Sequence, residues 1–301
     1  MTSLTFLGTG TSQGVPIIGC RCPVCRSADP QDKRLRSSAL VRSDGLSILI
    51  DAGPDFRAQM LAHDIRHLDA ILLTHHHKDH TGGLDDVRAF NYTDRHAVEI
   101  YCEETVLETL QREYAYAFSE KKYPGAPEWH IHRIDERPFR VASTRDSGEL
   151  EWIHDRGYFY RQADGSLQPA DNTPQEAVHD RPNVLPVRGY HGPIPVLGFR
   201  IGDIAYLTDM NRLPESELDK LQGLEHLTLN TVGYPSHHSH FSLDEALALA
   251  GRIGARHTWL THLSHAFPSH PVFCEELRRL CRERGIRSDV QPAYDGLTIS
   301  A

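Results

Sequence analysis

One six-residue stretch constrains this chain more than any other: His75-His76-His77-Lys78-Asp79-His80, directly after the apolar run Ile71-Leu72-Leu73-Thr74. Successive side chains on a strand point to opposite faces, so a strand that stops at a turn can direct alternate residues into one pocket. The spacing His-x-His-x-Asp-His therefore suits two adjacent metal ions served from one short loop. The chemistry this implies is metal-assisted hydrolysis.

Other ligand-type residues follow apolar runs in the same way. Asp209 comes after Ala205-Tyr206-Leu207-Thr208, and His262 after Trp259-Leu260-Thr261, while His191 falls in Tyr190-His191-Gly192-Pro193, the turn between two expected strands. Any one of these alone caps a strand or binds backbone just as readily; the set points to ions. Neutral imidazoles and carboxylates suit Zn, Mn or Fe, and a bridging carboxylate holds two such ions about 3.5–4 Å apart. Three of the six cysteines are crowded as Cys20-x-Cys22-x-x-Cys25, with Cys102, Cys274 and Cys281 dispersed. In a reducing compartment such crowding favours ligation over disulfides. A tetrahedral zinc site then needs a fourth ligand.

Acidic residues exceed basic ones by 41 − 32 = 9, so the net charge of −9 repels a polyanion such as tRNA or DNA. A small anionic substrate stays compatible, because bound cations dominate the local field. With 39% apolar and 24% charged residues the composition is that of a packed globular protein. The start, Met1-Thr2-Ser3-Leu4-Thr5-Phe6-Leu7-Gly8, lacks the basic flank of a signal peptide, and no apolar run approaches a membrane span. The expectation is a cytoplasmic protein without a membrane partner.

Strands are expected at Leu4–Leu7, Ala39–Val41, Leu46–Ile50, Ala70–Thr74, Val98–Tyr101, Asn183–Pro186, Val196–Ile201, Ile204–Thr208, Leu224–Asn230 and Thr258–Thr261. Helices are expected at Phe56–His63, Leu84–Phe90, Glu103–Phe118, Leu243–Ile253 and Val272–Arg284. The loop Gly8-Thr9-Gly10-Thr11-Ser12-Gln13-Gly14 lacks both the P-loop ending and the GxGxxG spacing, and reads as a structural turn. Residues 143–182, with Trp152, Tyr158, Phe159, Tyr160 and an Ala163-Asp164-Gly165-Ser166 turn, read as an inserted hairpin flap. Strands lead each half before helices arrive, so the expected architecture is a sheet-on-sheet core with outer helices in one domain, 1–301.

These motifs, in the order Asp51 in Asp51-Ala52-Gly53, His75 to His80, His191, Asp209 and His262, resemble the metallo-β-lactamase superfamily. The resemblance implies an αββα sandwich, two mixed β-sheets face to face with helices on the outer faces. Within it the chain is most similar to PhnP-type phosphodiesterases, which act on cyclic ribose phosphates. That narrower likeness rests on Leu7 to Pro16, the Cys20 cluster, Ser239-His240-Phe241-Ser242-Leu243-Asp244 and Leu260-Thr261-His262-Leu263-Ser264-His265.

Carried over residue by residue, the resemblance implies that His75, His77 and His191 hold one divalent ion (Zn, Mn or Fe), and Asp79, His80 and His262 another, with Asp209 bridging. His265 would complete a structural zinc site with Cys20, Cys22 and Cys25; Cys102, Cys274 and Cys281 are its competitors. Two cations would lower the pKa of a shared water from 15.7 toward about 7 for attack on a small phosphodiester. Asp79 belongs to the reacting centre as well as to the ligand set, and His240 would protonate the leaving group, with His237 and His238 as substitutes. Asp51 reads as an orienter of a histidine ligand rather than a ligand. A homodimer is compatible with the resemblance. Two alternatives are a ribonuclease Z-like tRNA 3′-processing nuclease, opposed by the acidic charge and the Cys20 cluster, and a non-catalytic metal or cofactor carrier akin to a branch linked to quinone cofactor synthesis.

Overall fold

A computed structural model describes residues 1–119, 121–141, 143, 149–153, 156–170, 173–181 and 183–301. The chain groups into two compact units, one formed by Met1–Asp44 with Asn183–Ala301 and the other by Gly45–Pro182. The first unit opens with β1 (Ser3–Gly8) and β2 (Ser38–Ser43). The second carries β3 (Leu46–Ile50), α1 (Phe56–Ala62), β4 (Ala70–Leu72), α2 (Lys78–Thr81), α3 (Arg88–Asp94), β5 (Val98–Cys102) and α4 (Glu104–Glu113). It continues through β6 (Trp129–Arg133), β7 (Glu149–Ile153), β8 (Gly157–Arg161), β9 (Leu167–Pro169) and β10 (Gln175–Glu176). The first unit resumes with β11 (Leu185–His191), β12 (Ile194–Ile201), β13 (Ile204–Leu207) and β14 (His226–Asn230). It ends with α5 (Leu243–Ile253), β15 (His257–Thr261), α6 (His270–Arg284), β16 (Asp289–Pro292) and β17 (Thr298–Ser300).

In the first unit β11, β12 and β13 pair antiparallel, and β13 to β16 continue the same sheet in parallel. Parallel strands buried on both faces read as near-continuous apolar runs, which is why Leu227 and Leu229 of β14 pack with α5 and α6. The buried Leu243, Ala246, Leu247, Ala250 and Ile253 lie on one face of α5 at helical spacing. Ser242 and Glu245 form a reciprocal cap at its start, and Gly254 ends it at φ +69. On the opposite face of the sheet Tyr206 meets Phe6 of β1 at 6.4 Å between ring centroids. Since β1 pairs antiparallel with β2 and β17, this unit contains sheet packed on sheet with helices outside.

The second unit is built on parallel β3, β4, β5 and β6, with β10 added parallel to β6. Val106, Leu107 and Leu110 of α4 are buried, as the helical spacing predicts, but the helix stops at Glu113 and gives way to a short 3-10 turn. Two further differences come from local geometry. The strand before the histidine motif ends at Leu72 rather than Thr74, because Thr74 turns its amide to the Asp51 carboxylate. The expected helix at Leu84–Phe90 is instead a 3-10 turn, Leu84–Val87, followed by α3. Strands outside the expected set include β6, although Trp129-His130-Ile131-His132 alternates apolar and polar, and β16 and β17, which are too short for a period to register.

Within residues 143–182, β7 pairs antiparallel with β8 and β8 with β9, around the turn at Ala163–Ser166; residues 144–148, 154, 155, 171, 172 and 182 lie outside the described residues. This small sheet is anchored in its own unit. Leu150 donates its amide to Arg95 O at 2.5 Å, and Tyr160 Oη lies 2.6 Å from His130 Nε2. His130 and His132 in turn flank the buried Glu99, at 3.1 and 2.5 Å. Burial raises the Glu99 pKa, but hydrogen bonds from both histidines and their charge outweigh it and hold the group at about 2. A carboxyl depressed on folding stabilises the fold above its unfolded pKa and loses that contribution as pH falls through its folded one. Between pH 4.5 and 2 the wild type should lose about 3 kcal/mol more stability than Glu99→Gln; acid titrations of denaturant midpoints that run parallel would contradict this.

No helix among the described residues is long and apolar enough to cross a membrane.

Candidate metal centre

Among the described residues seven non-glycine residues have positive φ, and three of them are Asp51 at +62, Asp209 at +55 and His262 at +57. All three sit just past the ends of strands, β3, β13 and β15. A left-handed residue there breaks the pleat and re-aims its side chain, and it persists only where the surroundings over-determine it. Aspartate tolerates this conformation better than most residues.

In the second unit the histidine motif folds onto itself. The His75 ring lies 4.6 Å from that of His77 and 4.3 Å from that of His80, and Asp79 Oδ2 is 3.3 Å from His80 Nε2. Asp51 is fully buried and receives His80 Nδ1–H at 2.6 Å and the Thr74 amide at 2.9 Å. Burial drives the Asp51 pKa up, and His80 and Thr74 work against it. Thr74 Oγ1 directs its one proton at this carboxylate, 2.9 Å from Oδ2, so it accepts from His75 Nδ1–H at 3.0 Å. Both histidines thereby keep the tautomer in which Nε2 carries the lone pair a metal needs. Lys78 turns away, paired with Glu113 at 2.8 Å.

Gly53 is part of this construction. A Cβ there would come within 2.0 Å of the Asp79 carbonyl, while Ala52 N–H donates to His80 O at 2.8 Å. Gly53→Ala should therefore push the Asp79–His80 loop aside, at a cost of about 1–3 kcal/mol and with loss of bound metal; a variant with unchanged metal content and melting temperature would contradict the packing argument.

In the first unit His191, Asp209 and His240 offer ligand atoms within 4.8 Å of one another. His240 Nδ1 is 3.6 Å from Asp209 Oδ1, and His262 Nδ1 is 3.3 Å from Asp209 Oδ2. The His240 ring lies 4.5 Å from His191 and stacks on His262 at 4.8 Å. Burial first, then the neighbouring His262, pushes the His240 pKa down to about 3. His237 is 5.1 Å from His240 ring to ring, and His238 is exposed. Thr208 donates its hydroxyl to Asp209 Oδ2 at 2.7 Å, and Ser37 Oγ lies 3.0 Å from His262 Nδ1. His191 is the last residue of β11 rather than a turn residue.

The cysteine cluster closes in the same unit. His265 Nδ1 is 3.3 Å from Cys20 Sγ and 3.5 Å from both Cys22 Sγ and Cys25 Sγ. Zinc–sulfur bonds of about 2.3 Å and a zinc–nitrogen bond of about 2.0–2.1 Å at tetrahedral angles give an S···N edge of about 3.5 Å, so the four side chains fit that ion. Backbone amides add to the fit: Cys25 N–H donates to Cys22 Sγ at 3.4 Å, the chief reason the Cys22 pKa falls to about 6. Cys102 lies in β5, and Cys274 and Cys281 lie in α6. The early glycine loop brings the partners together, since Leu263 N–H donates to Thr9 O and Thr11 N–H to Leu263 O, two residues before His265.

Sequence reasoning overlooked Thr74, Thr208 and Asn230. A signal was there for the threonines, in Leu73-Thr74-His75, Leu207-Thr208-Asp209 and Leu260-Thr261-His262, the same Leu-Thr pair ahead of each strand-end ligand type. A cavity of about 760 Å³ in the second unit is lined by Phe118, Lys122, Glu128, Trp152, Arg156 and Tyr158 among others, and its lining includes none of the ligand-type histidines.

Residues 47–263 match the β-lactamase superfamily domain. A crystallised diphosphatase from the PhnP family is 32% identical, with 100% of this chain and 98% of that one covered at a TM-score of 0.75. The Zn(2+)-bound PqqB of Methylobacterium extorquens, 18% identical, shares the fold over 99% of this chain and 100% of its own at a TM-score of 0.67. An octanoyltransferase of Porphyromonas gingivalis is 36% identical over 295 residues, 97% of this chain and 50% of that protein. The chain thus spans about half the length of that curated relative.

Proposed function

Because the chain belongs to the PhnP family of the β-lactamase superfamily, we propose that it is a metal-dependent hydrolase of small phosphoric diesters. The observation that carries this reading is the pair of buried hydrogen bonds from His80 to Asp51 and from His75 to Thr74, which prepare imidazoles as ligands rather than as surface bases. The proposed ligands of a catalytic ion pair are His75, His77, Asp79, His80, His191, Asp209 and His262, and those of a structural zinc are Cys20, Cys22, Cys25 and His265. Imidazole and carboxylate suit Zn, Mn or Fe for the pair.

Divalent ions held there would supply Lewis acidity, making water nucleophilic at neutral pH and offsetting charge on the phosphoryl oxygens. The chain's own residues do the rest. Asp51 and Thr74 keep His80 and His75 in one tautomer and orientation, and Thr208 orients the Asp209 carboxylate. Water oxygen bonds to phosphorus and gives up a proton, the bond from phosphorus to the leaving oxygen breaks, and that oxygen takes a proton from His240. Because burial and His262 push the His240 pKa down to about 3, that proton must be held on the ring by the negative charge of the bound substrate. The substrate is small and anionic; a net charge of −9 disfavours long nucleic acids. The relative named diphosphatase supports attack at phosphorus and adds the phosphoanhydride to the linkages worth assaying.

His240→Ala should cut turnover by about 10²–10⁴ with the metal complement intact; loss of a metal equivalent would instead make His240 a ligand. The reading as a whole is tested by elemental analysis together with assays on bis-p-nitrophenyl phosphate, a 2′,3′-cyclic nucleotide, a nucleoside diphosphate diester and a tRNA precursor. Hydrolysis of the small substrates supports it. Cleavage of the tRNA alone would favour the nuclease, and a full metal complement with no hydrolysis would favour a carrier.

A further inference from the structure

We propose that Asn230 is a positioning residue for Asp209, acting through the backbone of Met210. Asn230 ends β14, beside β13, where Leu207 and Leu229 are the last paired residues. Beyond them Asp209 adopts its left-handed conformation, so the next backbone groups leave the ladder. Met210 is fully buried, and without a side-chain partner its N–H would be orphaned there, while its C=O would keep one acceptor site unfilled. Asn230 meets both. Its Oδ1 accepts the Met210 amide at 2.9 Å and its Nδ2 donates to the Met210 carbonyl at 2.9 Å, with Asn230 itself fully buried.

The same carbonyl also accepts the Phe241 amide at 2.8 Å, and Phe241 follows His240. One side-chain amide therefore fixes the peptide after Asp209 and, through that peptide, the segment that carries His240. A strained aspartate stays strained only while such contacts hold it. The inference rests on the proposed role of Asp209 as a ligand.

Asn230→Asp keeps the shape and the acceptor for Met210 N–H but sets a carboxylate oxygen against the Met210 carbonyl. The readout is the affinity of the protein for Zn²⁺ and Mn²⁺ by chelator competition, with the zinc of the cysteine cluster as an internal reference. A residue that merely stabilises the fold would leave affinity in the folded protein unchanged. The expected result is a 10–100-fold weaker catalytic-site affinity in Asn230→Asp, with the cluster zinc retained and KM less affected than kcat. Affinity within twofold of the wild type overturns the inference. Should the variant fail to fold, hydrogen exchange of metal-free wild type decides: Met210 and Phe241 amides as protected as those of β14 support the clamp, and fast exchange overturns it. A wild type that binds only the cluster zinc overturns the functional reading, and this inference with it.

Discussion

Cys25→Ser is expected to remove one zinc equivalent from the purified protein and to lower its melting temperature on the order of 10 °C. The cluster joins Cys20, Cys22 and Cys25, in the loop after β1, to His265, more than two hundred residues later in the chain. Cys25 is buried, and burial pushes its thiol pKa up to about 11. The same residue as a ligand must lose that proton, so an ion in the site stabilises a form the empty pocket disfavours. An ion present at a thousandfold its dissociation constant stabilises the folded state by about 4 kcal/mol, and each kcal/mol moves the midpoint by about 2–4 °C in a chain approaching this size. A chelator should lower the wild type by more than the variant, because only the wild type has a cluster ion to lose, and the two stripped proteins should melt together. If Cys25→Ser keeps its zinc, or melts with the wild type, the cluster is not a structural site.

Asp51→Ala is expected to cost about 3–5 kcal/mol and to weaken catalytic-site metal affinity by about 10–100-fold. The carboxylate is fully buried and accepts from the His80 ring, the Thr74 amide and the Thr74 hydroxyl. Alanine would leave those donors buried and unmatched, and it suits the φ of +62 less well than aspartate. Asp51→Asn separates the two effects, because asparagine tolerates the backbone but turns a donor toward one of the former donors. Denaturant midpoints read the stability and chelator competition reads the affinity. Should Asp51→Asn match the wild type in both, the carboxylate charge has no part in holding His80.

Much of the proposed catalytic constellation is legible without coordinates because its signals are local. His75 to His80 are consecutive in the chain, and Asp209 and His262 follow apolar runs whose strand character is plain from Leu207 and Leu260. The strands β13 and β15 form as read, and α5 and α6 follow from the 3.6-residue spacing of Leu243 to Ile253 and of Phe273, Leu277 and Cys281. Short elements fare worse. The 3-10 turn at Leu84–Val87 and α2 at Lys78–Thr81 have too few residues for a period to register.

What the sequence by itself determined is therefore the list of chemical groups and the strands that deliver them, since ligand type and alternation are properties of neighbouring residues. How Leu263 pins the glycine loop beside His265, how Thr74 relays His75 to Asp51, and that Asn230 closes on Met210 were decided only by tertiary structure. Hydrogen bonds and ligand edges act over about 3 Å in space, and no local pattern encodes which distant residues the folded backbone will bring within that reach.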